Sequence, residues 1–415
     1  MPLEPGHLLR PLREPLVCFD FNPTVDRLRI VTNTGQNLRL NPETGGVAAV
    51  DGIINGVAGA MITSVAYGNN VAGAATTTLY DIDITTDKLY RQDPPNNGTQ
   101  VEIGSLKINL EGEGEGGFDI APPGSSKYSG RSNYSSYGSS NYNALAIYQV
   151  KGKSTLFSID LTNGRARKVE KFNCNQKYYG IAIPTQPVAY AVSGSNFLIF
   201  NPDNTSGVVS KPITGLQTGK SLLGIDFRPV NGQIYALGSN SRLYTINASS
   251  GAATFVAALS IALNGTSFGV DFNPVVDRIR IVSNNGQNLR VNPADGATIM
   301  DGSLNPGTPF VNAAAYANNF AGTMSTTLYV VDSGNDKLYM QNPPNGGTLI
   351  EIGSLGVNID AGNGFDIGST SNKAYGLFTS GGSTKIYSVD VSSGRARSEG
   401  SLSGMVSGFT LGLGF

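Results

Sequence analysis

Five aspartates recur at one position of a repeated strand: Asp20, Asp119, Asp226, Asp271 and Asp366, within C-F-D-F, G-F-D-I, G-I-D-F, G-V-D-F and G-F-D-I. Carboxylates presented at one level of several strands suit a hard cation such as calcium, and if those strands line a channel the five ring it. The same spacing serves a structural use, in which each carboxylate accepts a hydrogen bond from a neighbouring strand or pairs with an arginine, as Asp271 with Arg278 or Arg280. Where the series lapses, two positions hold alanine, Ala66 and Ala315, leaving gaps in any ring of ligands. The structural reading is therefore preferred, and the five aspartates stand as the candidates for a calcium site. No other cofactor is expected.

Other chemistry is largely excluded by residue type. The single histidine, His7, leaves no His-based metal centre and no Ser/His/Asp triad. No G-x-S-x-G elbow, C-x-x-C pair or phosphate-cradling glycine loop is present. Asp83 with Asp87, and Asp332 with Asp336, bracket a turn; a calcium loop needs more oxygens in so short a span, so turn capping is expected. Asp26 with Arg27, and Asp277 with Arg278, are positioned to pair across another turn. Cys18 and Cys174 are the only cysteines, and their pairing stays open. No catalytic residue is assigned.

The elements that position these residues repeat. An apolar strand ending in Asp or Asn, followed by a tight turn, occurs eight times, ending at Asn41, Asp93, Asp160, Asn201, Asn247, Asn292, Asn342 and Asp390. Each of these side chains is expected to anchor its turn by accepting backbone N–H groups. Gly follows four residues later at Gly45, Gly164, Gly251, Gly296, Gly346 and Gly394, where it supplies a positive φ. A strand-rich unit of this length, four short strands per copy with the aspartate strand innermost, predicts an all-β propeller of about eight four-stranded blades, in a single ring. The innermost strand of the fourth blade is expected at 179–184.

A longer period lies above the first. F-N-P-T-V-D-R-L-R-I-V-T-N-T-G-Q-N-L-R-L-N-P, beginning at Phe21, is matched by F-N-P-V-V-D-R-I-R-I-V-S-N-N-G-Q-N-L-R-V-N-P, beginning at Phe272. The chain divides into an N-terminal extension, 1–17, and a propeller, 18–415, made of a partial long repeat (18–178) and a full one (179–415). A Ser/Tyr/Asn/Gly tract at 125–143 reads as a surface insertion between the first two strands of its blade. The tail 407–415 is a ninth innermost strand with no blade after it; it is expected to close the ring on the first blade or to add to a neighbouring subunit, giving self-association and filaments.

The 29 basic and 30 acidic residues balance, which gives no pull toward nucleic acid or an anionic membrane. No apolar run reaches the roughly 18 residues that would span a bilayer as a helix. The proline-broken N-terminus lacks a signal peptide's apolar segment. Sequons at Asn97, Asn133, Asn204, Asn247 and Asn264 are possible glycosylation sites and hint at an exported surface.

The motifs G-I-D-F-R-P-V-N-G-Q-I-Y-A-L-G, beginning at Gly224, the long segment around Phe272, and L-Y-x-Q-x-P-P-N-x-G-T together resemble the bacterial domain of unknown function 4394. The resemblance covers nearly all of 18–415, as one partial and one full copy. It implies a secreted or surface β-propeller and carries over no catalytic activity. The expectation is a non-catalytic extracellular or cell-surface module with a structural or adhesive role and a protein or glycan partner. The alternative is a calcium-dependent propeller hydrolase or lactonase with its site in the central channel.

Overall fold

In the computed structural model the described residues are 16–412, apart from position 26 and the stretches 43–44, 72–73, 124–143, 173–175, 184–187 and 362. Their strands form eight four-stranded antiparallel sheets, the blades of a β-propeller. Among them there is no α-helix, and two single 3₁₀ turns (Pro95–Asn97 and Pro344–Gly346) break the pattern. The chain divides into two compact units, Met1–Gln186 and Pro187–Phe415.

The first unit holds three blades, whose inner strands are Val17–Asn22, Ile62–Tyr67 and Glu111–Ile120. The second unit holds five. Blade 5 starts with Leu222–Phe227, blade 6 with Phe268–Asn273, blade 7 with Val311–Tyr316 and blade 8 with Asn363–Ile367. Blade 4 takes its inner strand from the far end of the chain: Gly408–Leu411 pairs antiparallel with Ala189–Ser193, opposing Leu411 to Ala189.

That pairing corrects two expectations. The strand predicted at 179–184 is not the inner strand of blade 4, because Gly408–Leu411 occupies that place. Residue Ile183 instead donates its N–H to Asp119 Oδ2 of blade 3 at 2.5 Å, and 180–183 lies in the first unit. The tail does not join the first blade; 408–411 pairs with Ala189–Ser193 inside its own unit. Eight blades are present among the described residues. The five blades of the second unit close on themselves, with a separate apolar core at every blade-to-blade interface from 4|5 round to 8|4. Closure leaves no bare sheet face in that unit.

The turns that end the third strands explain the repeat. Asp160, Asn201, Asn247, Asn292 and Asp390 each accept the backbone N–H two residues ahead, as Asn292 Oδ1 does from Ala294 at 3.2 Å. Gly296 and Gly394 follow at φ 73° and 81°, a region that costs other residues. At Asn41 the backbone closes the same turn, with Gly45 N–H donating to Asn41 O. Asp93 and Asn342 depart from expectation. There the preceding glutamine braces the loop, Gln92 and Gln341 each donating at 2.6 Å to a proline carbonyl, while Asp93 pairs with Arg91. In the second of these loops Gly347, not Gly346, takes the positive φ. Substituting Asn292→Ala should cost about 0.5–2 kcal/mol, as lost side-chain caps do; a urea midpoint equal to wild type would contradict the anchor role.

The insertion expected at 125–143 lies outside the described residues, between the blade 3 strands that end at Ile120 and begin at Ala144. Of the sequons, Asn97, Asn204 and Asn264 are exposed, Asn247 has its Oδ1 taken by the turn, and Asn133 lies outside the described residues. Cys18 is a free thiol donating to Val31 O, and Cys174 lies outside the described residues.

Candidate functional site

The aspartates fall into two sets, Asp20 and Asp119 in the first unit, and Asp226, Asp271 and Asp366 in the second. Four of the five carboxylates accept a backbone N–H from the next inner strand, and Asp119 accepts one from Ile183, outside any strand. Asp20 takes Tyr67 at 2.5 Å, Asp226 takes Phe272 at 2.7 Å, Asp271 takes Tyr316 at 3.1 Å and Asp366 takes Leu411 at 2.6 Å. The repeated aspartate is therefore a strand-to-strand tie. Where the preceding blade has alanine instead, at Ala66 and Ala315, the N–H following the next aspartate turns back onto its own carboxylate, as Ile120 does to Asp119 and Ile367 to Asp366.

A second residue of the motif, which the aspartate pattern alone does not reveal, is the glycine two positions earlier. A Cβ on Gly224 would lie 2.5 Å from Val270 Cγ2, one on Gly269 2.6 Å from the Ala313 carbonyl carbon, and one on Gly364 2.4 Å from Phe409 Cβ. These glycines let inner strands approach closely enough for the aspartate tie to form. The signal is visible in the chain as G-x-D, with Gly408 and Thr410 as its variant in blade 4.

In the second unit this close approach brings three carboxylates together. Ligand oxygens of Asp226, Asp271 and Asp366 all lie within 4.8 Å of one another, and Thr410 Oγ1 lies in hydrogen-bonding range of Asp226 at 2.9 Å and of Asp366 at 3.0 Å. All three aspartates are buried. Burial pushes Asp366 up to about 7, and it raises Asp226 and Asp271 well above the ordinary range, with neighbouring carboxylates adding to the shift. Such a cluster holds protons at a pH where free carboxylates have lost them. As a ligand set it offers three carboxylates and one hydroxyl, against the about six to eight oxygens that calcium takes. Beside it, between the inner strands, is a cavity of about 10 Å³ lined by Gly224, Gly269, Gly364 and Phe409, among others. That is room for about one water molecule.

Asp20, in the first unit, is likewise raised to about 7, by burial first and by the charge of Asp119 to a lesser degree. The other acidic pairs are structural. Asp83 caps with Met61 and Thr85 N–H groups, Asp332 with Phe310 and Gly334, and Asp87 and Asp336 accept from Leu110 and Ile359. Asp277 does not pair with Arg278; it forms a two-pronged ion pair with Arg228 of the preceding blade. Its counterpart Asp26 lies outside the described residues.

Arg280 stands opposite Asp271 in register, yet its side chain goes elsewhere. It donates to Asn288 at 2.6 Å, Asp301 at 2.8 Å, Asn345 at 2.8 Å and the Tyr316 hydroxyl at 3.4 Å, tying blade 6 to blade 7. Arg29 repeats the arrangement with Asn37, Asp51, Asn96 and Tyr67.

Among the described residues no helix is long and apolar enough to cross a membrane. Among solved structures, the chain matches a Bacteroides fragilis NCTC 9343 protein provisionally assigned as a 6-phosphogluconolactonase, at 10% identity and TM-score 0.31, over 84% of this chain and 97% of that one. It also matches the β-propeller domain of Myceliophteria thermophila Cps50 (Swd1), at 12% identity and TM-score 0.28, over 91% of this chain and 98% of that one. No curated protein matches the sequence. Residues 7–182 and 196–410 each match the family model described as a domain of unknown function (DUF4394), and the chain belongs to that family.

Proposed function

We infer that this protein is a non-catalytic β-propeller of the extracellular space or cell surface, serving as a structural or adhesive module for a protein or glycan partner. The observation that carries this reading is the use made of the repeated aspartates. Each carboxylate accepts a backbone N–H from a neighbouring segment, an adjacent inner strand in four cases and Ile183 for Asp119. Balanced charge and exposed sequons at Asn97, Asn204 and Asn264 fit a secreted surface.

One observation favours the other reading, a calcium-dependent hydrolase or lactonase: three carboxylates within 4.8 Å of one another. Assays of lactone and ester hydrolysis with calcium present separate the two. Wild type and Asp271→Asn are both expected to stay at the buffer background. Turnover by wild type that disappears in Asp271→Asn would replace the structural reading with the enzymatic one.

A further inference from the structure

Blade 2 and blade 7 are repeat counterparts, so Asp81 corresponds to Val330, Gln92 to Gln341 and Gln100 to Leu349. Val330 and Leu349 are buried in an apolar core that blade 7 shares with Val282 of blade 6. The repeat therefore folds without a polar group at either position. In blade 2 the same two places hold a carboxylate and an amide, Asp81 at 0% and Gln100 at 6% exposed. They lie on the second and fourth strands of the blade, Leu79–Asp83 and Gln100–Ser105.

The hydrogen bonds fix how these groups are turned. Pro95 O can only accept, so Gln92 directs its amide nitrogen there at 2.6 Å and presents its oxygen to Gln100. Gln100 Nε2 donates to that oxygen at 3.3 Å and to Asp81 Oδ2 at 2.6 Å. Two buried atoms remain without a partner, Asp81 Oδ1 and Gln100 Oε1. Both are acceptors while Asp81 is ionised, and a buried acceptor with no donor is destabilising. A proton on Asp81 is the donor this set lacks, and Gln100 Oε1 is the acceptor left for it. In blade 7, where leucine stands in place of Gln100, the unpartnered atom is the oxygen of Gln341. Facing Asp81 from blade 1 are the charge of Arg29 and the thiol of Cys18. The donors of Arg29 go to Asn37, Asp51, Asn96 and the Tyr67 hydroxyl, and the thiol donates to Val31 O. Burial pushes Asp81 up to about 7, which its bond from Gln100 and the charge of Arg29 offset only in part.

We propose that Asp81 is a pH-sensitive latch between blade 1 and blade 2: protonated, it completes the amide chain within the contact, and ionised, it loosens the segment that joins the two blades. That segment, 51–56, runs from Val47–Val50 of blade 1 toward Ile62–Tyr67 of blade 2 and is bonded beside Gln100. Gly52 N–H donates to Asn96 O at 2.8 Å, and Asn55 N–H to Gly98 O and Gln100 N–H to Asn55 O, both at 2.9 Å. The sign follows from linkage. Between the ordinary 3.8 and about 7 the closed contact holds a proton that the opened, hydrated carboxylate has released. Closure is therefore full below the ordinary value and weakens as the pH rises through about 7, beyond which both states are ionised and nothing further changes. The inference goes beyond the interaction-module reading and does not rest on it.

Hydrogen exchange of the full chain, read by mass spectrometry on peptides covering 51–56 and 95–101, tests the latch. Protection is taken relative to the intrinsic exchange rate at each pH. In wild type it should fall by up to about tenfold per pH unit from about pH 5, one proton being released per opening, and level off above about pH 7. Asp81→Asn should be pH-independent, because its amide donates where the proton did. The double variant Asp81→Val with Gln100→Leu, which installs the residues of blade 7, should be equally flat; should it misfold, Asp81→Asn still decides. Wild-type protection that does not change over this range overturns the proposal. So does a slope that survives in Asp81→Asn, which would assign the titration to another group. Neither result bears on hydrolysis or calcium, so this inference and the non-catalytic reading fail separately.

Discussion

Replacing Arg280 with alanine should remove about 3–5 kcal/mol of folding stability, the range seen when one partner of a buried ion pair is deleted. The guanidinium is 1% exposed and spends its donors on Asp301, Asn288, Asn345 and the Tyr316 hydroxyl, all within the blade 6 to blade 7 contact. Without it the buried Asp301 keeps Arg290 as its only cation, and Asn288 Oδ1 and Asn345 Oδ1 each lose their donor. Arg290→Ala is the control, because that side chain is 31% exposed and a pair at such a site is worth about 1 kcal/mol or less. Urea unfolding followed by tyrosine fluorescence measures both. A loss for Arg280→Ala no larger than for Arg290→Ala would contradict the role given to the buried arginine.

The second large effect is a gain. Asp271→Asn should stabilise the protein above neutral pH, because a carboxylate whose charged form is opposed by burial and by its carboxylate neighbours is replaced by a neutral amide. Its Oδ1 would still accept from Tyr316 N–H, while the new amide donates toward Asp226 and Asp366 in place of a competing negative charge. The direction with pH follows from linkage. Asp366 titrates at about 7 in the folded protein against an ordinary 3.8. Between those values the folded state holds a proton that the unfolded chain has released. Stability from this cluster is therefore full below the ordinary value and is lost as the pH rises through about 7. Wild type should melt at a lower temperature at about pH 8 than at about pH 5, and Asp271→Asn should flatten that slope. A wild-type melting point that climbs over this window, or an asparagine variant less stable at the alkaline end, would sink the assignment of shared protons.

Much of the fold could be read from the chain because its signals are local. Asn292 and Asp390 announce their turns through side-chain bonds that reach only two or three residues ahead. Which strands pair over long distances could not be read in this way. The tail was recognisable as an inner strand, but nothing near it in sequence says that Leu411 opposes Ala189 rather than adding to the first blade. The segment 179–184 has the pattern of an inner strand and sits next to blade 4 in sequence, yet it bonds backward to Asp119. Of the candidate site, the recurrence of the five aspartates was plain and so was the alternative of a strand tie. The partner was not: Arg280 is opposite Asp271 in register, but Asn288, Asp301 and Asn345 satisfy it better. The glycine two residues before four of the aspartates (Cys18 stands there before Asp20) carries no signal of its own, because its role is to lack a side chain, which shows only once the neighbouring strand is in place.

Calcium titration tests the central claim most directly. If the buried carboxylates of Asp226, Asp271 and Asp366 are proton-sharing ties between inner strands, adding millimolar calcium at neutral pH should leave the melting temperature unchanged and produce no saturable heat in a calorimeter, in wild type and in Asp271→Asn alike. A stoichiometric binding heat with a raised melting temperature, both abolished by Asp271→Asn, would show that the cluster is a cation site and contradict the account.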